Sequence, residues 1–502
     1  MNILIEPDSN FKWLWKKLIK TISTFPKFKL FLFSKSLSLI SYLEGNKKNN
    51  LIKSFNTDFY KLIIENKVSS KVDWTKVKYI EKKYAVNLLY DVILTDRQLG
   101  KNFYVSAIKH HHSKVSKKCT INISLNLCVK AFVYWENIIK KNKINLIIGY
   151  GQGWGLHSRP LYIIAKKNNI NIRNLVSARI RNLFYWSANE YGELNETLKK
   201  SFKKQKIKPL KNKKIESLKN ILSSSLVEKN LIKSRTFLGF SKVIIKYTLL
   251  YFYRFFRNKE KFNQTQPLYE GITYLFNGYL NQKFINKIAK KVITPEEMKM
   301  SFFLPLQQVP ESSTIGLSFM HDQLNFILET SLRLPPQYKL IIKEHLYSIE
   351  GRNKDFYNTI KNLPNVIFAH NYMPGEYIIS RCLGVITLSS SAAYEAAIMG
   401  KPTIIFEKKP YIKELGHVLW CKHIDDLKGL PAFLNKGIFK NNRKVSIKNG
   451  QVFLQKCVKK FFSIEGDNLA FKEKEISDTD NDKVLKDLFI SLNLKYDTKI
   501  SH

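Results

Sequence analysis

Short apolar runs alternate with helical patterns between residues 276 and 406. Five of these runs predict strands: SFFLPL (301–306), YKLIIKEH (338–345), NVIFAH (365–370), GVITLSS (384–390) and PTIIFE (402–407). The segments between them predict helices: HDQLNFILETSLRL, NKDFYNTIKNL, GEYIISRC and SAAYEAAIMG. This alternation is typical of a parallel sheet that is covered by helices on both faces.

The first half of the chain shows a weaker pattern of the same kind. The run INLIIGYGQGWG (144–155) precedes a helical pattern, RPLYIIAKKNN, and a strand pattern, INIRNLVSA. We therefore predict an α/β fold with two Rossmann-like domains. The predicted ranges are 1–260, with a basic loop at 203–214, then 261–435, and a helical extension with a polar tail at 436–502.

A helical pattern near the start of the chain has two interpretations. Apolar residues recur at helical spacing and lysines occupy other positions: Phe11, Leu14, Trp15, Leu18 and Ile22 against Lys12, Lys16 and Lys20. Such a basic amphipathic helix can lie on an anionic membrane. A helix that faces the core of the first domain would show the same stripe.

The composition indicates a globular protein with an anionic partner. Hydrophobic residues make up 44% and charged residues 25% of the 502 positions, which is typical of folded domains. The formal net charge of +44 favours a phosphate-bearing substrate or a lipid surface. An AT-rich genome, which enriches Lys, Asn, Ile, Phe and Tyr, is the alternative explanation. Nucleic acid is not an expected partner, because no recognised nucleic-acid motif accompanies the charge.

The spacing of the cysteines and the first ten residues of the chain indicate the cellular compartment. The five cysteines lie scattered without C-x-x-C spacing, which argues against a disulfide framework or a zinc site. The start, MNILIEPDSN, reads as an apolar strand and lacks the basic-then-apolar order of a signal peptide. We expect a cytoplasmic protein.

The stretch VITLSSSAAYEAAIMGKPTIIF (385–406) predicts a strand, a serine turn and a short helix. Gly400 would end the helix and Pro402 would prevent its continuation. In a doubly wound sheet this turn lies at the carboxyl edge, where ligands bind. Serine hydroxyls and helix amides there form an anion site. Glu395 lies too far from Ser391 for a capping box, so its carboxylate is available to ribose hydroxyls or to the positive helix end.

A second constellation follows another predicted strand. The run LIIKEHLYSIEGR (340–352) places Lys343, Glu344 and His345 at the end of that strand. A lysine and a histidine there can neutralise a phosphate, and the histidine can donate a proton to a leaving phosphate. The alternative interpretation is a surface histidine whose hydrogen bonds are already made and which has no role in binding.

Three runs together resemble a known family: FFLPLQQVPESSTIGLSFMHDQL, KLIIKEHLYSIEGRNKDFYNTIKNLPNVIF and VITLSSSAAYEAAIMGKPTIIF. They resemble the bacterial capsular or surface polysaccharide biosynthesis family of glycosyltransferase-like proteins, which is similar to the Kdo transferases of capsule export. The resemblance covers about residues 300 to 420. It implies a GT-B architecture, in which two Rossmann-like domains face a cleft and the C-terminal one holds the sugar nucleotide.

The resemblance also implies roles for individual residues. Donor phosphate would bind His345 and Lys343, and the nucleotide would contact Ser389, Ser390, Ser391 and Glu395. Gln307 and Glu311 would line the cleft. Two departures stand out: Leu346 replaces the usual proline after the histidine, and the serine turn lacks both glycines of the family's T-G-T-A-G-W-E-A.

An inverting transferase also needs a base that deprotonates the acceptor hydroxyl. Asp96, in ILTDRQLG, follows an apolar run and is the first candidate, ahead of Glu190 and His157. The alternate glycines of GYGQGWG would let backbone amides approach an anion or a sugar, although a flexible loop would have the same composition.

The predicted function is transfer of a sugar from a nucleotide-sugar donor to a capsular or lipopolysaccharide chain or its lipid-linked precursor. We expect no cofactor and no metal, with a CMP-sugar as a candidate donor. The enzyme would be cytoplasmic and peripheral at the inner face of the membrane. The alternatives are a sugar-nucleotide epimerase on the same fold and a non-catalytic assembly protein with a decayed site.

Overall fold

The chain forms two compact units, each built around one sheet. The computed structural model describes residues 1–8, 11–44, 51–103, 113–151, 153–180, 182–204, 235–257, 262, 265–308, 312–436, 443–464 and 478–492. The first unit comprises 1–93, 122–208 and 454–502, and the second comprises 94–121 and 209–453. The described residues 94–103, 113–121 and 235–257 thus lie in the second unit instead of the predicted N-terminal domain. The described residues 454–464 and 478–492 lie in the first unit instead of a separate extension.

The strands follow one another along the described residues as β1 Asn2–Glu6, β2 Lys29–Phe33, β3 Leu51–Phe55, β4 Leu146–Tyr150, β5 Asn171–Ser177, β6 Leu183–Ser187, β7 Ser301–Pro305, β8 Lys339–Lys343, β9 Val366–Ala369, β10 Gly384–Thr387, β11 Thr403–Ile405, β12 Val418–Trp420 and β13 Phe462–Ser463. Their order is β13-β6-β5-β4-β1-β2-β3 in the first sheet and β12-β11-β10-β7-β8-β9 in the second.

The α-helices are α1 Lys12–Ser23, α2 Leu37–Glu44, α3 Phe59–Ile64, α4 Trp74–Tyr84, α5 Lys114–Lys118, α6 Ile121–Asn142, α7 Arg159–Lys167, α8 Glu196–Lys204, α9 Phe237–Arg257, α10 Leu268–Ile288, α11 Pro295–Lys299, α12 Ser312–Leu317, α13 Gln323–Arg333, α14 Lys354–Lys361, α15 Gly375–Arg381, α16 Ser391–Ile398, α17 Leu430–Leu434, α18 Arg443–Lys460 and α19 Asp478–Ser491. In the part of the chain that the structure describes, no helix combines the length and apolar character needed to cross a bilayer.

The second sheet is parallel throughout. Counted from its own first strand, its order is the doubly wound order 3-2-1-4-5-6, which reverses between β7 and β10. All five strands predicted for this half are present. The sixth, β12, was not predicted; it lies at the edge of the sheet, and only the first of its three residues is buried.

Apolar residues cover both faces of this sheet. Along β7, Phe302 and Leu304 enter one core cluster and Phe303 enters the other. The same alternation along β8 sends Leu340 and Ile342 to the first cluster, because successive side chains of a strand point to opposite faces. A parallel sheet buried on both faces explains why its strands read as continuous apolar runs.

The first sheet repeats this plan over its parallel strands. The order β3-β2-β1-β4-β5 is parallel, and β6 and β13 add an antiparallel edge. Its reversal point lies between β1 and β4. The prediction of an α/β fold with two Rossmann-like domains is confirmed.

The structure decides between the two interpretations of the first helix. In α1, Leu14, Trp15, Leu18 and Ile22 are at most 1% exposed and belong to the core of the first unit. Their stripe packs against the sheet and does not face solvent. The core-facing interpretation of this helix is correct, and the membrane interpretation is wrong for it.

The last segment completes the first unit. Strand β13 pairs with β6, and Trp186 on β6 donates a hydrogen bond from Nε1 to the carbonyl of Val484 at 2.9 Å. Leu488 and Phe489 of α19 enter the same core as β1 and β2. The sequence between residues 463 and 482 is polar, so it gave no apolar pattern from which the packing of α19 in the first unit could be predicted.

Replacing Leu488 with alanine should lower the free energy of unfolding by about 2–5 kcal/mol, because its side chain is fully buried. The matched control is Ile490→Ala on the same helix, since Ile490 is 41% exposed and should change stability by less than about 0.5 kcal/mol. Urea denaturation measures both. Equal, small effects at the two positions would contradict the packing of α19 in this core.

Candidate functional site

The reversal point of the second sheet brings two predicted site residues into contact. Gln307 follows β7, Ser389 follows β10, and the Gln307 Nε2 donates a hydrogen bond to the Ser389 Oγ at 3.2 Å. Both side chains are buried. The Gln307 Oε1 is also buried and has no hydrogen-bond partner among the described residues. An acceptor oxygen left unpaired at this edge indicates a place for a ligand donor group.

The backbone of Gln307 is held by a second glutamine. The Gln307 N–H donates to the Gln323 Oε1 at 2.9 Å, and the Gln323 Nε2 donates to the Gln307 carbonyl at 2.9 Å. Gln323 opens α13 and is 2% exposed. This amide pair fixes the chain as it leaves β7, so the Gln307 side chain has a defined direction.

A buried ion pair fixes the end of the neighbouring strand. Arg352 donates from Nε to the Glu344 Oε2 at 2.9 Å, and both side chains are 0% exposed. The hydroxyl of Tyr357 donates to the same oxygen at 3.1 Å, and the His345 N–H donates to the Glu344 Oε1 at 2.7 Å. Arg352 also donates from Nη2 to the Gln323 Oε1 at 3.2 Å. One polar network therefore joins the ends of β7 and β8.

His345 stands at this edge as a neutral imidazole. Its Nδ1 accepts a hydrogen bond from the Tyr347 N–H at 3.3 Å, which leaves the ring proton on Nε2. Burial, and then the charges of Lys343, Arg352 and Arg235, lower the pKa of His345 to about 4. At neutral pH the ring is thus a hydrogen-bond donor without a charge of its own.

Arg235 adds a buried guanidinium beside this histidine. Its Nη2 donates to the Leu346 carbonyl and to the Glu350 Oε1, the latter at 2.6 Å. Its Nε and Nη1 are buried without a hydrogen-bond partner among the described residues. Buried guanidinium donors left unpaired favour an anionic ligand.

The serine turn forms as predicted. Ser390 is the N-cap of α16, where its Oγ accepts a hydrogen bond from the Ala392 N–H at 3.3 Å, and Ser391 begins the helix with an exposed side chain. Glu395 is half-buried one turn further along. Gly400 ends the helix at a φ of +69°, and a Cβ there would lie 2.4 Å from the Ile447 backbone nitrogen. Only glycine satisfies both constraints.

The predicted donor residues are thus distributed over neighbouring strands. Gln307 and Ser389 are in direct contact, Lys343 ends β8, and His345 follows two residues later. Glu311 lies outside the described residues. Among the residues that the structure does describe, no group of three or more His, Cys, Asp or Glu side chains is placed to hold a metal ion.

Leu346, which departs from the family pattern, has a structural role here. Its side chain is 5% exposed and joins the core of the second unit. The turn around it is held by the Ser348 N–H, which donates to the His345 carbonyl at 2.9 Å, and by the contact with Arg235. Hydrogen bonds hold this turn where proline would restrict φ.

The three predicted bases each have hydrogen-bond or ion-pair partners within the protein. The Asp96 Oδ1 accepts hydrogen bonds from the Gln98 and Leu99 N–H groups at 2.8 and 2.9 Å, the pattern of a turn cap. Glu190 forms a buried ion pair with Arg159 at 3.0 Å. The His157 Nε2 lies 3.2 Å from the Asp58 Oδ1. A catalytic role for Asp96 stays a prediction. The two hydrogen bonds that its carboxylate accepts are typical of a residue that stabilises a turn.

A carboxylate that the sequence analysis missed lies in the first unit. Glu6 ends β1 opposite Gly149 of β4, at the reversal point of that sheet. The Ser158 hydroxyl donates a hydrogen bond to the Glu6 Oε1. Desolvation raises the pKa of Glu6 to about 7, although hydrogen bonds from Ser158 and Tyr162 act in the opposite direction. The sequence contained a signal for it, since Glu6 is the polar residue that follows the apolar run ILI (3–5).

Comparison with known proteins gives low similarity. No family model and no curated protein matches the chain. The UDP-GlcNAc 2-epimerase from Neisseria meningitidis bound to UDP-GlcNAc has 11% identity over 91% of this chain and 100% of that chain, at TM-score 0.24. KpsC, the beta Kdo 2,7 transferase of Thermosulfurimonas dismutans, has 13% identity over 60% of this chain and 84% of that chain, at TM-score 0.25.

MurG of Acinetobacter baumannii has 9% identity over 91% of this chain and 99% of that chain, at TM-score 0.26. All three identities and TM-scores are low. These likenesses therefore carry no argument about the activity of this chain.

Replacing Glu6 with glutamine should stabilise the protein increasingly as the pH rises from about 4.5 to about 7. In this window the folded state retains a proton that the unfolded chain has released, because the pKa of Glu6 is raised from 4.5 to about 7. The native chain therefore loses stability as the pH rises, and glutamine removes that loss, on the order of 3 kcal/mol above pH 7.

Urea denaturation across this pH range measures the difference between Glu6→Gln and the native chain. Glu65→Gln, at an exposed position of the same unit, is the control and should show no such growth, because Lys67 lowers the pKa of Glu65. A difference for Glu6→Gln that stays constant with pH would contradict the raised pKa.

Proposed function

We propose that the protein is a nucleotide-sugar-dependent glycosyltransferase of GT-B type whose donor binds at the carboxyl edge of the second sheet. The contact between Gln307 and Ser389 carries this proposal. It lies at the reversal point of a doubly wound sheet, where ligands of such folds bind. It also leaves the Gln307 Oε1 buried without a hydrogen-bond partner among the residues that the structure describes.

The charges around His345 suit the diphosphate or phosphate of such a donor. Lys343, Arg352 and Arg235 all lower the pKa of His345, which is the direction that nearby positive charge produces, and Arg235 keeps its Nε and Nη1 buried without a hydrogen-bond partner among the described residues. A phosphate oxygen would accept a hydrogen bond from the neutral Nε2–H and relieve this repulsion. Gln307 and the serine turn would then contact the sugar or the nucleoside.

The same groups would support departure of the nucleotide. When the bond between the sugar's anomeric carbon and the phosphate oxygen breaks, the electron pair stays on the nucleotide. Guanidinium, ammonium and imidazole donors stabilise that charge without a metal ion. The acceptor hydroxyl forms the new bond to the anomeric carbon and loses its proton to a base, for which Asp96 remains the prediction from sequence. The proposed acceptor, a surface polysaccharide or its lipid-linked precursor, rests on the family resemblance.

Nucleotide binding should raise the melting temperature of the native chain, and His345→Ala should abolish most of that shift. The nucleotides to compare are CMP, UDP, GDP and CDP, each with its sugar conjugates. A ligand at about a hundred times its dissociation constant stabilises the folded state by roughly 2.7 kcal/mol. His423→Ala is the matched control, because that side chain is 71% exposed in the same unit and should leave the shift intact.

The outcomes separate the proposed function from its rivals. A shift with one nucleotide, followed by incorporation of its labelled sugar into a glycan acceptor, supports the transferase. Conversion of the free nucleotide sugar to its epimer without an acceptor would identify an epimerase instead. The absence of any shift with a folded protein would overturn the donor site and favour the assembly protein.

A further inference from the structure

Helix α9, Phe237–Arg257, carries an exposed apolar stripe. Five large side chains at spacings of seven, four, three and four residues share one face of the helix: Leu238, Ile245, Leu249, Phe252 and Phe256. They are between 47% and 74% exposed. At 1.5 Å per residue the stripe is roughly 27 Å long. Exposed apolar surface that continues over the four positions from Ile245 to Phe256 marks an interaction site.

The opposite face of α9 packs against other residues of the second unit. Phe240 stacks on Tyr279 of α10 with ring centroids 5.0 Å apart. Tyr247 donates a hydrogen bond to the Gln266 carbonyl at 3.3 Å, and Tyr251 contacts the ring of Phe262. The helix is therefore held by the Phe240 side, and the stripe is not the face that anchors it.

The charged residues of α9 itself are all positive. Lys242, Lys246 and Arg257 are exposed, and Lys242 lies on the stripe itself between Leu238 and Ile245. The fourth basic residue, Arg254, donates a hydrogen bond to the Thr265 Oγ1 at 3.2 Å on another side. The helix sequence contains no aspartate or glutamate. A large apolar face with lysine and arginine beside it is the pattern of helices that lie in a lipid interface.

We propose that the stripe of α9 docks on an anionic lipid bilayer, with the helix lying in the plane of the membrane surface. The apolar side chains would enter the boundary between headgroups and acyl chains, and the flanking lysines would contact lipid phosphates. A second copy of this chain fits the stripe less well, because it would bring like charges together. The inference is independent of the donor site.

The test is flotation of the full-length chain with phosphatidylcholine vesicles, with and without phosphatidylglycerol. The native chain should bind the vesicles that contain phosphatidylglycerol, and less at high salt. Leu249→Glu with Phe256→Glu should weaken this binding by at least about tenfold, because two charges replace inserted apolar groups. Lys242→Glu with Lys246→Glu should also weaken it and reduce its dependence on salt.

The matched control is Leu332→Glu with Val292→Glu, which makes the same kind of change at side chains of the second unit that are 78% and 80% exposed. These variants should bind vesicles like the native chain, and thermal denaturation should show that all variants fold. Absence of native binding, or equal binding by the α9 variants, would overturn the proposal. A native dimer that Leu249→Glu with Phe256→Glu dissociates, without vesicle binding, would assign the stripe to a second copy and overturn it as well.

Discussion

The buried ion pair between Glu344 and Arg352 organises the carboxyl edge of the second sheet. Two charges removed from water are costly unless each is paired and hydrogen-bonded, and loss of one partner from such a pair costs about 3–5 kcal/mol. Here Glu344 also accepts from Tyr357 and the His345 N–H, and Arg352 continues to Gln323. The positions of His345 and Gln307 follow from this network. In the proposed donor site, this network would hold the edge in place before a ligand binds.

The fold of the second unit was predictable because its strands are buried on both faces. Between their terminal residues, runs such as KLIIK and GVIT contain no polar residue, and each is followed by residues that leave the sheet. The return of α19 to the first unit was not predictable. Its apolar residues Val484, Leu485, Leu488 and Phe489 follow a polar stretch, and the pairing of β13 with β6 spans most of the chain. Such contacts depend on tertiary packing and leave no local pattern.

Some residues of the candidate site could also be predicted from the sequence, and others could not. Lys343 ends a strand, and His345 and the serines follow strands within a few residues. The rule that parallel strands present their carboxyl ends at one edge was therefore enough to find them. Applied equally to the first strand, that rule would also have found Glu6. Gln323, Arg352 and Arg235 could not be found this way, because their roles come from contacts across separate elements. Asp96 is the opposite case. It was selected because it follows an apolar run, but its carboxylate already accepts hydrogen bonds from two backbone amides.

The central claim is that the edge around His345 receives a nucleotide phosphate. NMR titration of ring-labelled histidine measures this directly, with the His345 signal identified by its loss in His345→Gln. Without ligand the pKa of His345 should lie near 4, because burial and three cations disfavour the charged ring. A bound nucleotide should raise that pKa by at least about one unit, since phosphate offsets the cations. A His345 pKa near its ordinary value, or one that saturating nucleotide sugar leaves unchanged, would contradict the account.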